Sequence, residues 1–90
     1  MPTITIPTPL RSYTQGLREV EAQGATLAEL FADLDRRYPG LRFRVINEQD
    51  EIREHIKCFV NQQTAESLTL SLRPDDRVRI IMAISGGKDG

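Results

Sequence analysis

Cysteine is almost missing from this chain: Cys58 stands alone among 90 residues. One cysteine excludes an internal disulfide, a cysteine-rich zinc site and a four-cysteine iron–sulfur cluster. Histidine is equally scarce, and His55 has no second ligand type at metal-binding spacing. Neither sign of charge prevails. The 12 basic and 13 acidic residues are interspersed and leave a net charge of −1, so the basic footprint that nucleic-acid binding requires is absent. No apolar run approaches the ~20 residues of a membrane span, and the N-terminus lacks the charged-then-apolar form of a signal peptide. The expected address is the cytoplasm.

What remains is an ordinary globule, 39% apolar and 28% charged. A chain this long makes one domain, able to bury about 60–65% of its unfolded surface without covalent staples. Thr3-Ile4-Thr5-Ile6 alternates with period two and is β-branched throughout, predicting a strand with Ile4 and Ile6 inward. Pro7 and Pro9 stop it, because proline cannot donate to a sheet ladder. Thr8 to Gly16 then reads as a loop. Leu17 to Ala22 resumes alternation with Val20 and Ala22 on one face, giving a hairpin.

The clearest element follows. Thr26 and Glu29 have the spacing of a capping box, in which each side chain satisfies an orphan amide of the first turn. Leu27, Leu30, Phe31, Leu34 and Tyr38 make one helical stripe, and Asp33 and Arg37 form an i, i+4 pair on its flank. Pro39-Gly40 ends the helix. Leu41 to Glu54 shows no clean period and reads as an irregular connection whose Phe43, Val45 and Ile46 tack onto the core. His55 to Asn61 is a strand with Ile56, Cys58 and Val60 on one face and Lys57, Phe59 and Asn61 on the other. Asn61-Gln62-Gln63 suggests a turn, Leu68, Leu70 and Leu72 alternate as a short strand, and Pro74-Asp75-Asp76 is a turn. The last strand runs from Arg77 to Ile84, with Val78, Ile80, Met82 and Ile84 inward and Arg77, Arg79 and Ile81 outward.

A helix with one apolar stripe must lie on a sheet with one apolar face. The economical arrangement is an α+β fold of the β-grasp, ubiquitin-like form: a mixed sheet of about five strands packed on one main helix. Residues 1–84 would form this domain and 85–90 a flexible tail. In that tail the strand stops at Ser85-Gly86-Gly87-Lys88. Adjacent glycines within the last ten positions arise by chance in roughly 5% of chains at a background near 7% glycine, so the pair is weak alone. It gains weight on a fold that presents a tail.

Several short motifs resemble one family, the ubiquitin-like sulfur carriers of molybdopterin, thiamine and amino-acid biosynthesis (the MoaD/ThiS family). They are Ile6-Pro7-Thr8-Pro9-Leu10-Arg11, Gly24-Ala25-Thr26-Leu27, Phe59-Val60-Asn61, Pro74-Asp75-Asp76-Arg77-Val78 and Gly86-Gly87. The first looks most like carriers serving cysteine or methionine synthesis. Family members usually end at the diglycine, whereas this chain continues with Lys88-Asp89-Gly90. The resemblance implies trimming between Gly87 and Lys88 by a metal-dependent peptidase. It also implies adenylation of the Gly87 carboxylate by an ATP-dependent, E1-like enzyme, and conversion to a thiocarboxylate by a sulfur donor. That sulfur would pass to a biosynthetic enzyme. The chain itself would bind no cofactor or metal, supply no catalytic residue and be a monomer when free.

Docking needs a surface as well as a tail. If the last strand lies beside the third, Phe59 and Ile81 project together on the solvent face as partner-contact candidates, although scattered surface hydrophobics are normal. Arg77 and Arg79 flank them and would steer an acidic partner, or are plain solvated strand residues. Cys58, on the inward face, reads as a small buried hydrophobe. Arg36, Arg37, Arg42 and Arg44 cluster within nine positions, which suits a solvated helix end better than an anion site. Competing functions are a ubiquitin-like modifier joined through Gly87 to target lysines, and a β-grasp interaction module with an inert tail. A β-grasp ferredoxin is excluded by the single cysteine.

Overall fold

The computed structural model describes residues 1–83. Strand β1 (Thr3–Thr5) leads through a 3-10 helix (Thr8–Thr14) to β2 (Glu19–Glu21), and helix α1 (Leu27–Arg37) is followed at once by a short α2 (Leu41–Val45). Strands β3 (Ile56–Val60), β4 (Gln63–Ala65) and β5 (Arg77–Met82) complete the order. The five strands form one sheet in the order β2-β1-β5-β3-β4. β1 and β5 are parallel, while β1–β2, β3–β5 and β3–β4 are antiparallel. This is the mixed β-grasp sheet that the sequence predicts, with β5 at its centre.

Alternation decides which face is buried. Ile4, Val20, Ile56, Cys58, Val60, Val78 and Ile80 all point to the core. Leu27, Leu30, Phe31 and Leu34 of α1 meet them, each with no accessible surface. The capping box forms with a shift of one residue. Thr26 Oγ1 accepts from the Glu29 amide (3.2 Å), but the Glu29 carboxylate accepts from the amide of Ala25 (2.9 Å). Gly40, at φ 94°, turns the chain sharply after α1, and the Asp35 carboxylate accepts its amide (3.0 Å).

Four expectations are corrected. Most of the stretch Thr8–Gly16 is a 3-10 helix (Thr8–Thr14) rather than a loop: Leu10 is buried, the Arg11 Nε donates to the Ile6 carbonyl (3.0 Å), and the buried Thr14 hydroxyl donates to Leu17 O (2.7 Å). Leu41–Glu54 is not irregular throughout, since it holds α2 and an antiparallel bridge between Ile46 and Ile52. Val45 and Ile46 do join the core, but Phe43 does not and is 51% exposed. Finally, the fourth strand is Gln63–Ala65 and not Leu68–Leu72.

The physical reason for that last change is specific. Leu68, Leu70 and Leu72 do place their side chains against the core, but Leu68 and Thr69 form a turn and only Ser71 makes a bridge, to Thr26. The carbonyls and amides of the three leucines are used at the start of α1. Leu70 O accepts from the Leu27 amide (2.9 Å), Leu68 O from the Ala28 amide (2.9 Å), and the Leu72 amide donates to Ala25 O (2.9 Å). The first-turn amides of a helix have no partner within the helix, and this stretch supplies two. Period-two alternation of apolar side chains reports which of them face the core but not what the backbone bonds to.

Candidate functional site

β5 is hydrogen-bonded on both sides, to β1 and to β3. Its end is fixed by one further bond, from the Ala83 amide to the His55 carbonyl (2.8 Å). The root of the C-terminal segment therefore leaves from the middle of the sheet and not from a fraying edge. Ser85, Gly86, Gly87 and Lys88, the proposed reactive and processing residues, lie outside the described residues. Four residues of any extended chain span at most about 14 Å.

The solvent face along β5 carries the four partner-contact candidates, Ile81 nearest this root and Arg77 at the far end of the strand. Cross-strand register places Phe59 opposite Arg79 and Lys57 opposite Ile81, so Phe59 and Ile81 are diagonal neighbours on one face. Ile81 is 41% exposed. Phe59 is a partial correction: it is half-buried, because the Arg79 guanidinium lies 5.2 Å from the centre of its ring. This cation–π contact shields the aromatic face while it holds the arginine upright. Arg77 is exposed on the same face, its amide donating to Asn61 Oδ1 (3.0 Å). The sheet thus brings together an apolar pair and a set of cations, Lys57, Arg77 and Arg79.

Two turns hold β5 at its other end. Asn61, at φ 57°, closes the β3–β4 turn, and its Nδ2 donates to Asp76 Oδ1 (3.0 Å). The other Asp76 oxygen accepts from the Arg73 amide (2.8 Å). These bonds, the Arg73 amide first and the Asn61 amide second, hold the Asp76 carboxyl below the usual carboxylate range. The motifs Phe59-Val60-Asn61 and Pro74-Asp75-Asp76 are therefore one structural clasp across two turns. Cys58 is buried, and burial pushes its thiol up to about 12, which keeps it neutral. Among the described residues, no group of three or more His, Cys, Asp or Glu side chains is placed to hold a metal ion.

The arginine cluster is dispersed by folding. Arg36 and Arg37 both pair with Asp33, and Arg42 pairs with Asp50 (2.9 Å). Arg44 instead donates through Nε to the Tyr13 hydroxyl (2.7 Å), 31 positions away. It thereby lines a groove of about 510 Å³ that sequence reasoning missed, along with Phe43, Arg53, His55 and Met82. The available signal was an aromatic flanked by arginines, Arg42-Phe43-Arg44, in a segment with no inward period. A larger cleft of about 770 Å³ lies toward β4 and is lined by Asp50, Glu51, Glu54 and Glu66 among others.

Comparison with known proteins finds matching relatives. A sequence profile described as the ThiS family matches residues 4–87. The chain is 31% identical over 90 residues to the sulfur carrier protein CysO of Mycobacterium tuberculosis, covering 94% of this chain and 97% of that one. It also superposes on a chain of the BexX/CysO complex of Amycolatopsis orientalis with a TM-score of 0.90 and 32% identity, over 97% of this chain and 100% of that one. SAMP1 of Haloferax volcanii, a small archaeal modifier protein, matches with a TM-score of 0.76 and 25% identity, over 96% of this chain and 98% of that one.

Proposed function

The chain belongs to the ThiS family, and on that premise we propose that it is a sulfur carrier, a co-substrate whose C-terminus is charged by another enzyme. One observation carries this reading: the family match runs to Gly87, the second glycine, and the relative CysO is itself a sulfur carrier. The central position of β5 supports it, because a rigid root lets a short segment be aimed.

The chemistry follows from what a carboxylate lacks. Its charge repels nucleophiles, and oxide is a poor leaving group. Removal of Lys88-Asp89-Gly90 by a peptidase frees the Gly87 carboxylate. That carboxylate then attacks the α-phosphorus of ATP on an E1-like partner, releasing pyrophosphate and leaving an acyl-adenylate. A sulfide equivalent attacks the carbonyl carbon, the bond to AMP breaks, and the thiocarboxylate remains. If the donor is a persulfide, the first product is an acyl disulfide, and a second thiol must cleave its S–S bond. Gly86 and Gly87 suit this role because they lack Cβ atoms, which lets a narrow channel admit them and leaves the carbonyl open to attack. The charged carrier then delivers its sulfur to a biosynthetic enzyme.

The likeness to a small archaeal modifier protein favours one second reading, conjugation through Gly87 to target lysines. Intact-mass analysis of the protein from its own cells separates the two. A form ending at Gly87 that carries the oxygen-to-sulfur increment supports the carrier. Branched lysine adducts without that increment support the modifier. A chain that always retains Lys88 overturns both.

A further inference from the structure

We propose that the groove between the 3-10 helix, α2 and the start of β3 seats an acidic, apolar-tipped loop on the rim of the enzyme that charges the C-terminal segment. The proposal rests on the carrier reading above and adds the chemistry of the partner surface.

Placement comes first. Met82 and His55 line the groove, and they flank the root of the segment, where Ala83 bonds to His55. Because Gly87 reaches at most about 14 Å from Ala83, an enzyme that takes Gly87 into a recessed active site must bring its rim against the residues around that root. The groove is therefore under the partner whenever the carboxylate is engaged.

Chemistry and preorganisation come next. Phe43 is 51% exposed, and the Arg53 guanidinium lies 4.6 Å from the centre of its ring while Arg53 Nε donates to Phe43 O (2.8 Å). Arg44 lies 5.8 Å from the Tyr13 ring centre and is held by the Tyr13 hydroxyl. Both guanidiniums are thus fixed in place on aromatic faces, which lowers the entropy lost when a partner carboxylate binds them. Neither takes part in an ion pair among the described residues, whose ion pairs are those of Asp33 and Asp50. Among the described residues, no carboxylate lines the groove. The acidic residues Asp50, Glu51, Glu54 and Glu66 line the other cleft instead. A chain of net charge −1 has therefore placed arginines that no described residue pairs beside exposed aromatic surface at the root of its reactive segment. The complement to that surface is acidic at its edges and apolar at its tip.

Two readouts on the full-length chain in its own cells test this. In the first, the photo-crosslinking residue p-benzoylphenylalanine replaces Phe43, and the crosslinked peptide is sequenced by mass spectrometry. The expected adduct is a net-negative segment of an ATP-binding protein. In the second, the thiolated fraction is read by intact mass in the double variant Arg44→Glu, Arg53→Glu. Like charges facing each other across an interface repel, so a fall of about tenfold or more is expected, with Arg18→Glu as the control at about wild-type level. Thermal unfolding of each variant establishes that the fold is kept. The proposal is overturned if the double variant is thiolated normally, or if the probe finds no partner, a second copy of this chain or the chain's own C-terminal segment. Failure of the carrier reading looks different: the wild-type chain itself is never thiolated, and the crosslink alone then decides the docking proposal.

Discussion

Asn61 combines a left-handed backbone conformation with two side-chain bonds, one to the Arg77 amide and one to Asp76. Asn61→Ala loses both bonds and leaves a Cβ in that conformation without the local hydrogen bonding that lets asparagine adopt it, for a loss of roughly 1–3 kcal/mol. Asn61→Gly keeps the backbone relaxed and loses only the bonds, so it should cost less; urea denaturation of the two variants measures the difference. The carboxylates make a second prediction. Asp33 accepts from the Gln23 amide (2.8 Å) and from Arg37 Nε (2.8 Å), and these bonds bring its carboxyl from an ordinary 3.8 down to about 2. Asp76 is shifted in the same direction. Both are ionised more readily when folded than when unfolded, so their contribution is complete above the ordinary carboxylate value and fades as the pH falls through the folded one. Stability should therefore drop between about pH 5 and about pH 2, and Asp33→Asn should flatten that slope in urea midpoints taken across the range. The neutral, buried Cys58 should resist alkylation until the protein unfolds, as a mass-shift assay across the urea transition would show.

At the scale of elements, α1 is held by both of its neighbours. Its apolar stripe centres on Phe31, which is fully buried, and Phe31→Ala should cost about 3–5 kcal/mol in denaturant unfolding. Its N-terminus depends on a close approach. A Cβ on Gly24 would stand 2.4 Å from the Leu30 amide nitrogen and 2.8 Å from the Glu29 carbonyl carbon, both backbone atoms that cannot swing away. Gly24→Ala should therefore destabilise by about 1–3 kcal/mol, detectable as a lower Tm with little change in far-UV circular dichroism. The motif Gly24-Ala25-Thr26-Leu27 is in this sense a packing requirement of the fold. The helix was legible in the sequence because its stripe, cap and terminator are local properties of one segment. The stretch Leu68–Leu72 was not, because its partner, the first turn of α1, lies about forty positions upstream.

On the carrier reading proposed above, the whole molecule separates a passive body from a reactive end. Replacing Gly86 and Gly87 with alanine should abolish thiolation while leaving the unfolding transition of the body unchanged; intact mass and thermal melting together test this. Cations border the root of that end on two sides, Lys57 and Arg79 on the sheet face and Arg44 and Arg53 in the groove. Association with an acidic charging enzyme should accordingly slow as salt rises, with the loss in the on-rate more than in the off-rate. Stopped-flow binding at two ionic strengths would measure it.

The sequence by itself determined the elements whose signals are local: β1, α1, the inward faces of β3 and β5, the turn at Pro74 and the diglycine that follows the last strand. These rest on periodicity, caps and backbone restrictions, which act over a few residues and need no distant partner. Tertiary structure alone decided three things: that Phe59 lies beneath Arg79, that Phe43 faces solvent, and that Arg44 finds Tyr13 across 31 positions. Each depends on which segments the sheet order brings to one end of the molecule, and pairing across such distances leaves no period in the chain.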